Sequence, residues 1–216
     1  MTTDCETRAV REYLLSNPEE NLAIARTVYS CWPAIRDEIC KTFFDQLCRR
    51  VERKAKEAMP EFADDLRVGQ QYWGPRKWAD CFWLYRMSWR QYKEEPSFPK
   101  GRTAICMEVA EKSPNGWLYG VVCPKSQDVL SESDKERRVQ LVAELHEELG
   151  VGNKSTVWPW WKYVDERYRN WDYLVPDMYR ERDQEDSGEV MKYFVDLLVG
   201  TAKRVIPIIN KFEIRR

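Results

Sequence analysis

"RTAICMEVAEKSPNGWLYGVVCP", residues Arg102 to Pro124, decides the fold. In its first run Ile105, Met107 and Val109 fall on one side of an extended chain, "SPNGW" supplies a tight turn, and "WLYGVVCP" returns, so the stretch predicts an antiparallel hairpin. Just upstream, "KWADCFWLYRMSWRQY" alternates in the same way. It puts Ala79, Cys81, Trp83, Tyr85, Met87 and Trp89 on one face and Asp80, Arg86, Ser88 and Arg90 on the other. Extended segments this close together pair most economically as a meander, because a parallel sheet would need helical crossovers between them.

Helical patterns flank this strand-rich middle. After "NPEE", where Asn17 can cap and Pro18 suits the first turn, apolar residues recur at Val28, Trp32, Ile35, Ile39, Phe43, Leu47 and Val51. Pro33 removes a backbone donor inside that pattern, so the segment is expected to kink or divide near Cys31 into a helix pair. Ser131 and Asp134 form a capping box for a helix with Val142, Leu145 and Leu149 on one stripe and Gly150 as its stop. "WPWWKYVDERYRNWDYLVPD" places Trp161, Val164, Tyr168, Trp171 and Val175 at helical spacing. Ser187 then caps a last helix with the stripe Val190, Phe194, Leu197, Thr201, Val205 and Ile208. The expected fold is α+β in a single domain over residues 1–216. An antiparallel sheet of three or more strands packs against several helices, with a helical part at about 1–60, strands at about 67–125 and helices again at about 131–216.

Composition narrows the function classes. The 216 residues are 43% hydrophobic and 33% charged with a formal charge of −1, so neither nucleic acid nor an acidic membrane is favoured by net charge. No stretch approaches the roughly 20 apolar residues of a membrane span. The polar, acidic start "MTTDCETRAVREYLL" lacks a basic region leading into an apolar run, which makes a cytoplasmic location the expectation. Seven scattered cysteines and one histidine, His146, offer neither a disulfide framework nor zinc-knuckle spacing, so no metal and no cofactor are expected.

Ten tryptophans are the unusual feature. Most are expected to fill the core, but Trp73, Trp78, Trp158 and Trp160, together with Arg76, Lys77, Arg86 and Arg90, form the candidate binding set. Exposed aromatic and guanidinium groups suit a protein-binding hot spot, and exposed aromatics also suit a homo-oligomer. The same mixture suits a single-stranded nucleic acid, whose bases stack on rings while its phosphates meet cations.

"AELHEELGVG", Ala143 to Gly152, resembles the catalytic helix of the Nudix diphosphate hydrolases through Glu144, Leu145, Glu147, Glu148, Gly150 and Val151. In that alternative, Glu144, Glu147 and Glu148 would hold a divalent metal against a diphosphate. At the family's upstream spacing, however, stand Ala143 for arginine, Lys135 for glutamate and Val129 for the loop glycine, and the first and second of these lose or reverse a charge. An amphipathic helix with an acidic solvated face and a glycine cap accounts for the same residues.

A wider resemblance runs from about Pro18 onward. It is carried by a long helix through "AIRDEICKTFFDQL", the tryptophan-rich strand, the pair "TAICMEVAE" and "WLYGVVCP", the segment "WPWWKY" and the final helix "EVMKYFVDLLVGTAKRVIPIINKFE". This order resembles the C-terminal region of a family of bacterial and phage PD-(D/E)xK-superfamily proteins. The nuclease core of that family does not carry over. In "MEVAEK" Glu111 adjoins Lys112, and neighbouring residues on a strand point to opposite faces. The resemblance implies an accessory module without the nuclease, acting in phage or bacterial defence or counter-defence, and it transfers no catalytic residue. The expected function is therefore a non-enzymatic module that binds another protein, with nucleic-acid binding and Nudix-like hydrolysis as the alternatives.

Overall fold

The computed structural model describes residues 4–71, 81–89, 102–109, 116–123, 132–184 and 188–213. The fold is α+β, with a five-stranded antiparallel sheet and six α-helices among the described residues. The chain divides into two compact units, Met1–Glu38 and Ile39–Arg216.

The first unit holds α1 (Asp4–Ser16) and the start of α2 (Pro18–Ala58). Its turn is tied by Asn21, whose side-chain amide donates to the Tyr13 carbonyl at 2.7 Å. Of the kink or division expected near Cys31, the division does not occur: α2 runs unbroken through Pro33, and the break falls at Asn17 instead. A proline deletes one rung of the ladder. On an exposed helix the carbonyl it frees can bond water, so the loss stays local.

In the second unit α2 leads through a short 3-10 turn to strands β1 (Leu66–Gln71), β2 (Cys81–Arg86), β3 (Ala104–Val109) and β4 (Trp117–Val122). Helix α3 (Glu132–Leu149), β5 (Trp160–Tyr163), α4 (Glu166–Arg169), α5 (Trp171–Glu181) and α6 (Glu189–Glu213) follow. The strands lie in the order β1-β2-β3-β4-β5, every neighbour antiparallel. The predicted hairpin is β3–β4, with Ala104 opposite Val122 and Val109 opposite Trp117, and Gly116 enters β4 at φ 84°. Strand β2 is buried on both faces along its whole length, which fits a central strand better than the half-solvated alternation expected.

One row across the sheet reads Gly69, Trp83, Cys106, Gly120, Trp161, setting large rings beside small residues. A Cβ at Gly120 would collide with the Trp160 carbonyl oxygen, so glycine is required where β4 meets β5. On the opposite face Phe82 and Trp117 meet the helices. Phe44 of α2 lies 5.7 Å from Trp117, Trp117 stacks on Trp171 of α5 at 4.2 Å, and Trp171 meets Phe194 of α6 at 5.5 Å. Offset and edge-to-face ring pairs add about 0.5–1.5 kcal/mol each beyond their burial.

Residues 160–163, expected to open a helix, form edge strand β5. Two caps explain why the helix starts late and in two pieces: Asp165 accepts from the Arg167 N–H, and Asn170 accepts from the Asp172 N–H. On its outer edge β5 meets Asn153, whose N–H donates to the Trp161 carbonyl at 2.8 Å while the Trp161 N–H donates back at 2.9 Å. Between α5 and α6 the buried Glu181 carboxylate accepts from the Val190 and Met191 N–H groups, each at 3.1 Å, and so satisfies the start of α6. Among the described residues no helix is long and apolar enough to cross a membrane.

Candidate interaction surface

The residues singled out from sequence are scattered by the fold. Trp73, Arg76, Lys77, Trp78 and Arg90 lie outside the described residues. Arg86 is buried: its Nε donates to Asp65 at 2.7 Å, its Nη1 donates to Asn210 at 2.7 Å, and its guanidinium lies 4.1 Å above the Phe62 ring. Met87 and Ser88, read as a continuation of the strand, turn instead, and the Trp89 N–H closes the turn onto the Arg86 carbonyl at 3.2 Å. Ser88 donates to the Asp65 carboxylate and Trp89 Nε1 donates to Asn210. Burial raises the Asp65 carboxyl, but the bonds from Ser88 and Arg86 together hold it below its usual range. Trp160 is buried, its Nε1 donating to the Gly150 carbonyl at 2.9 Å, and Trp158 is partly buried against the core.

The stretch Ala143–Gly152 has structural work for its acidic and glycine residues. Glu144 accepts from Lys211, and Glu148 accepts from Arg204 at 2.7 Å, with a second bond from Arg204 to the Glu148 carbonyl. These pairs join α3 to α6, while Glu147 is exposed. Gly150 ends α3 at φ 75°, and a Cβ at Gly152 would strike the Trp160 indole. Among the described residues no group of three His, Cys, Asp or Glu side chains is placed to hold a metal ion. Burial pushes the Cys48 and Cys106 thiols up and the Cys123 thiol to about 12, which keeps them protonated and poor as nucleophiles.

The surface that stands out is in the first unit. Sequence periodicity put Val28, Trp32 and Ile35 on one stripe of α2, yet they are 53%, 41% and 45% exposed. Leu22, Ile24 and Tyr29 on α2 and Val10, Tyr13 and Leu15 on α1 are exposed as well. Among the described residues of this unit only Asn21 is buried, so it has helices but no apolar core of its own. Scattered apolar residues on a surface are ordinary, whereas a contiguous stripe at helical spacing is the mark of an interaction site. The sequence signal for it was present in the periodicity; what periodicity omits is the identity of the covering layer.

Comparison with protein-family models, with curated proteins and with solved structures returns no match for the chain. Its chemistry is read from its own geometry.

Proposed function

We propose that this chain is a protein-interaction module that docks the first part of α2 into an apolar groove of another protein. The observation that carries this reading is the exposed stripe Val28, Trp32, Ile35. Anchors at the spacing i, i+4, i+7 are how an amphipathic helix fills such a groove. Tryptophan is among the residue types most often dominant in such contacts, and burying these three side chains would remove from water part of the apolar area that the unit leaves uncovered. This reading adds Trp32 as an aromatic anchor to those expected from sequence, of which Trp73 and Trp78 lie outside the described residues.

The test compares the wild-type chain with the double variant Val28→Asp, Ile35→Asp. Both positions are exposed, so the melting temperature of the second unit should not move. Partner capture from a host lysate, read by mass spectrometry, should enrich a specific protein with the wild type and lose it with the variant. Light scattering over a range of concentrations identifies the case in which the partner is a second copy. Identical co-purifying proteins for both chains, with both monomeric, would overturn the reading.

A further inference from the structure

In the second unit a cavity of about 400 Å³ is lined by Gln46, Arg49, Arg50 and Arg53 of α2 and by Arg182 and Asp183 just beyond α5. Positions 46, 49, 50 and 53 share one helical face, which puts three guanidiniums side by side, and Arg182 adds a fourth; among the described residues Asp183 is the carboxylate in the lining, and Arg53 pairs with Glu57 at 3.6 Å. The wall is fixed by two bonds from α2 to the turn after α5: Gln46 Nε2 donates to the Arg182 carbonyl at 3.0 Å, and Arg50 Nη2 donates to the Gln184 carbonyl at 2.7 Å. The Arg182 guanidinium lies over the Tyr179 ring at 3.8 Å while its Nε donates to Asp183 at 3.2 Å.

Arg50 lines this cavity, and its Nη1 is buried with no hydrogen-bond partner among the described residues. Buried donors are almost always satisfied, and an unsatisfied one beside a cavity marks where an acceptor belongs. Arg49 lines the same space from an exposed position, and Arg53 adds its charge there while engaged with Glu57.

We propose that this cavity binds a small polyphosphate anion. Guanidinium groups present forked donors that match phosphoryl oxygens, and several of them around one space call for more than one phosphoryl group. The volume falls in the range of small-ligand sites. The chain as a whole carries a charge of −1, so the positive charge is local rather than a track along which a nucleic-acid strand would run. None of the residues of the Val28 stripe takes part, and this site stands or falls independently of the protein-docking reading.

Calorimetric titration of the full chain with inorganic tripolyphosphate, at about 0.15 M salt where exposed charges are screened over roughly 8 Å, tests the site. The expected result is saturable one-to-one binding. Arg49→Gln, at an exposed position that leaves the fold intact, should weaken it about tenfold, the effect of losing one charge-assisted bond. Arg167→Gln, at a guanidinium paired with Glu189 elsewhere in this unit, should leave it unchanged. A parallel titration with a short single-stranded oligonucleotide should show no tighter binding than tripolyphosphate. Tighter oligonucleotide binding with a steep salt dependence would overturn the proposal in favour of a nucleic-acid surface. Absence of saturable binding, or equal losses in Arg49→Gln and Arg167→Gln, would overturn it outright.

Discussion

Helix α2 carries one apolar repeat into two surroundings. In the first unit Val28, Trp32 and Ile35 are exposed; in the second, Phe43, Leu47 and Val51 continue the same spacing and are buried, Phe43 against Trp171 of α5 and Phe194 of α6. The residues are of one kind and the helix is continuous, so the difference lies in the covering layer and not in the local code. An amphipathic period specifies which face is apolar. It does not say whether that face meets the chain's own core or another molecule.

The largest expected effect tests that contrast directly. Leu47→Ala removes a fully buried side chain and should cost about 2–5 kcal/mol in urea unfolding, whereas Val28→Ala, in the exposed half of the stripe, should change the value by no more than about 0.5 kcal/mol. Similar losses at the two positions would break the comparison by showing that the Val28 stripe is already covered in the free protein.

The sheet supplies the next test. Burial pushes the Glu108 carboxyl from its ordinary 4.5 up to about 7. Between those values the folded state holds a proton that the unfolded state releases, so stability should fall as pH rises across that window and level off above it. Glu108→Gln mimics the neutral acid. It should flatten the slope and raise stability at about pH 8 by on the order of 2–3 kcal/mol, measured as unfolding midpoints across pH. A slope that persists in the variant would place the titrating group elsewhere.

The smallest effect is expected at the clasp between α3 and α6. Glu144→Gln breaks a pair whose lysine is 59% exposed, and it should cost less than about 1 kcal/mol and vanish in high salt. A larger loss would mean that this pair anchors α3 as firmly as the apolar contacts of Leu141 and Leu145 do.

Much of the fold was legible in the sequence. The β3–β4 hairpin, the α+β class and the meander followed from alternation and turn chemistry over residues 102–124. Strand β1 was not, because "LRVGQQ" has one β-branched residue, a glycine and two glutamines. It owes its place to Trp83 lying over Gly69 and not to intrinsic preference. Strand β5 was hidden for the opposite reason: Trp161, Val164, Tyr168 and Trp171 sit at helical spacing although a strand and two capped helices share them. Of the candidate site, the aromatic residues were visible but their exposure was not. Arg86 looked like a surface cation, and its partners Asp65 and Asn210 are 21 and 124 residues away in sequence. The arginines at 49, 50 and 53 stood in plain view on the polar face of α2, and only the turn at 182–184 makes them a cavity.

The pairing of Asn153 with Trp161 has a consequence for how copies of this chain can meet. A sheet margin with free amide and carbonyl groups is a template for lateral growth, chain upon chain. At the β5 margin both backbone groups of Trp161 are already spent on Asn153, with Pro159 just before the strand and Lys162 beside the occupied position. That margin is closed to recruitment of a foreign strand at its centre. Any molecule that meets the chain at this margin is left to recognise it by side chains, without a shared ladder at the centre of β5.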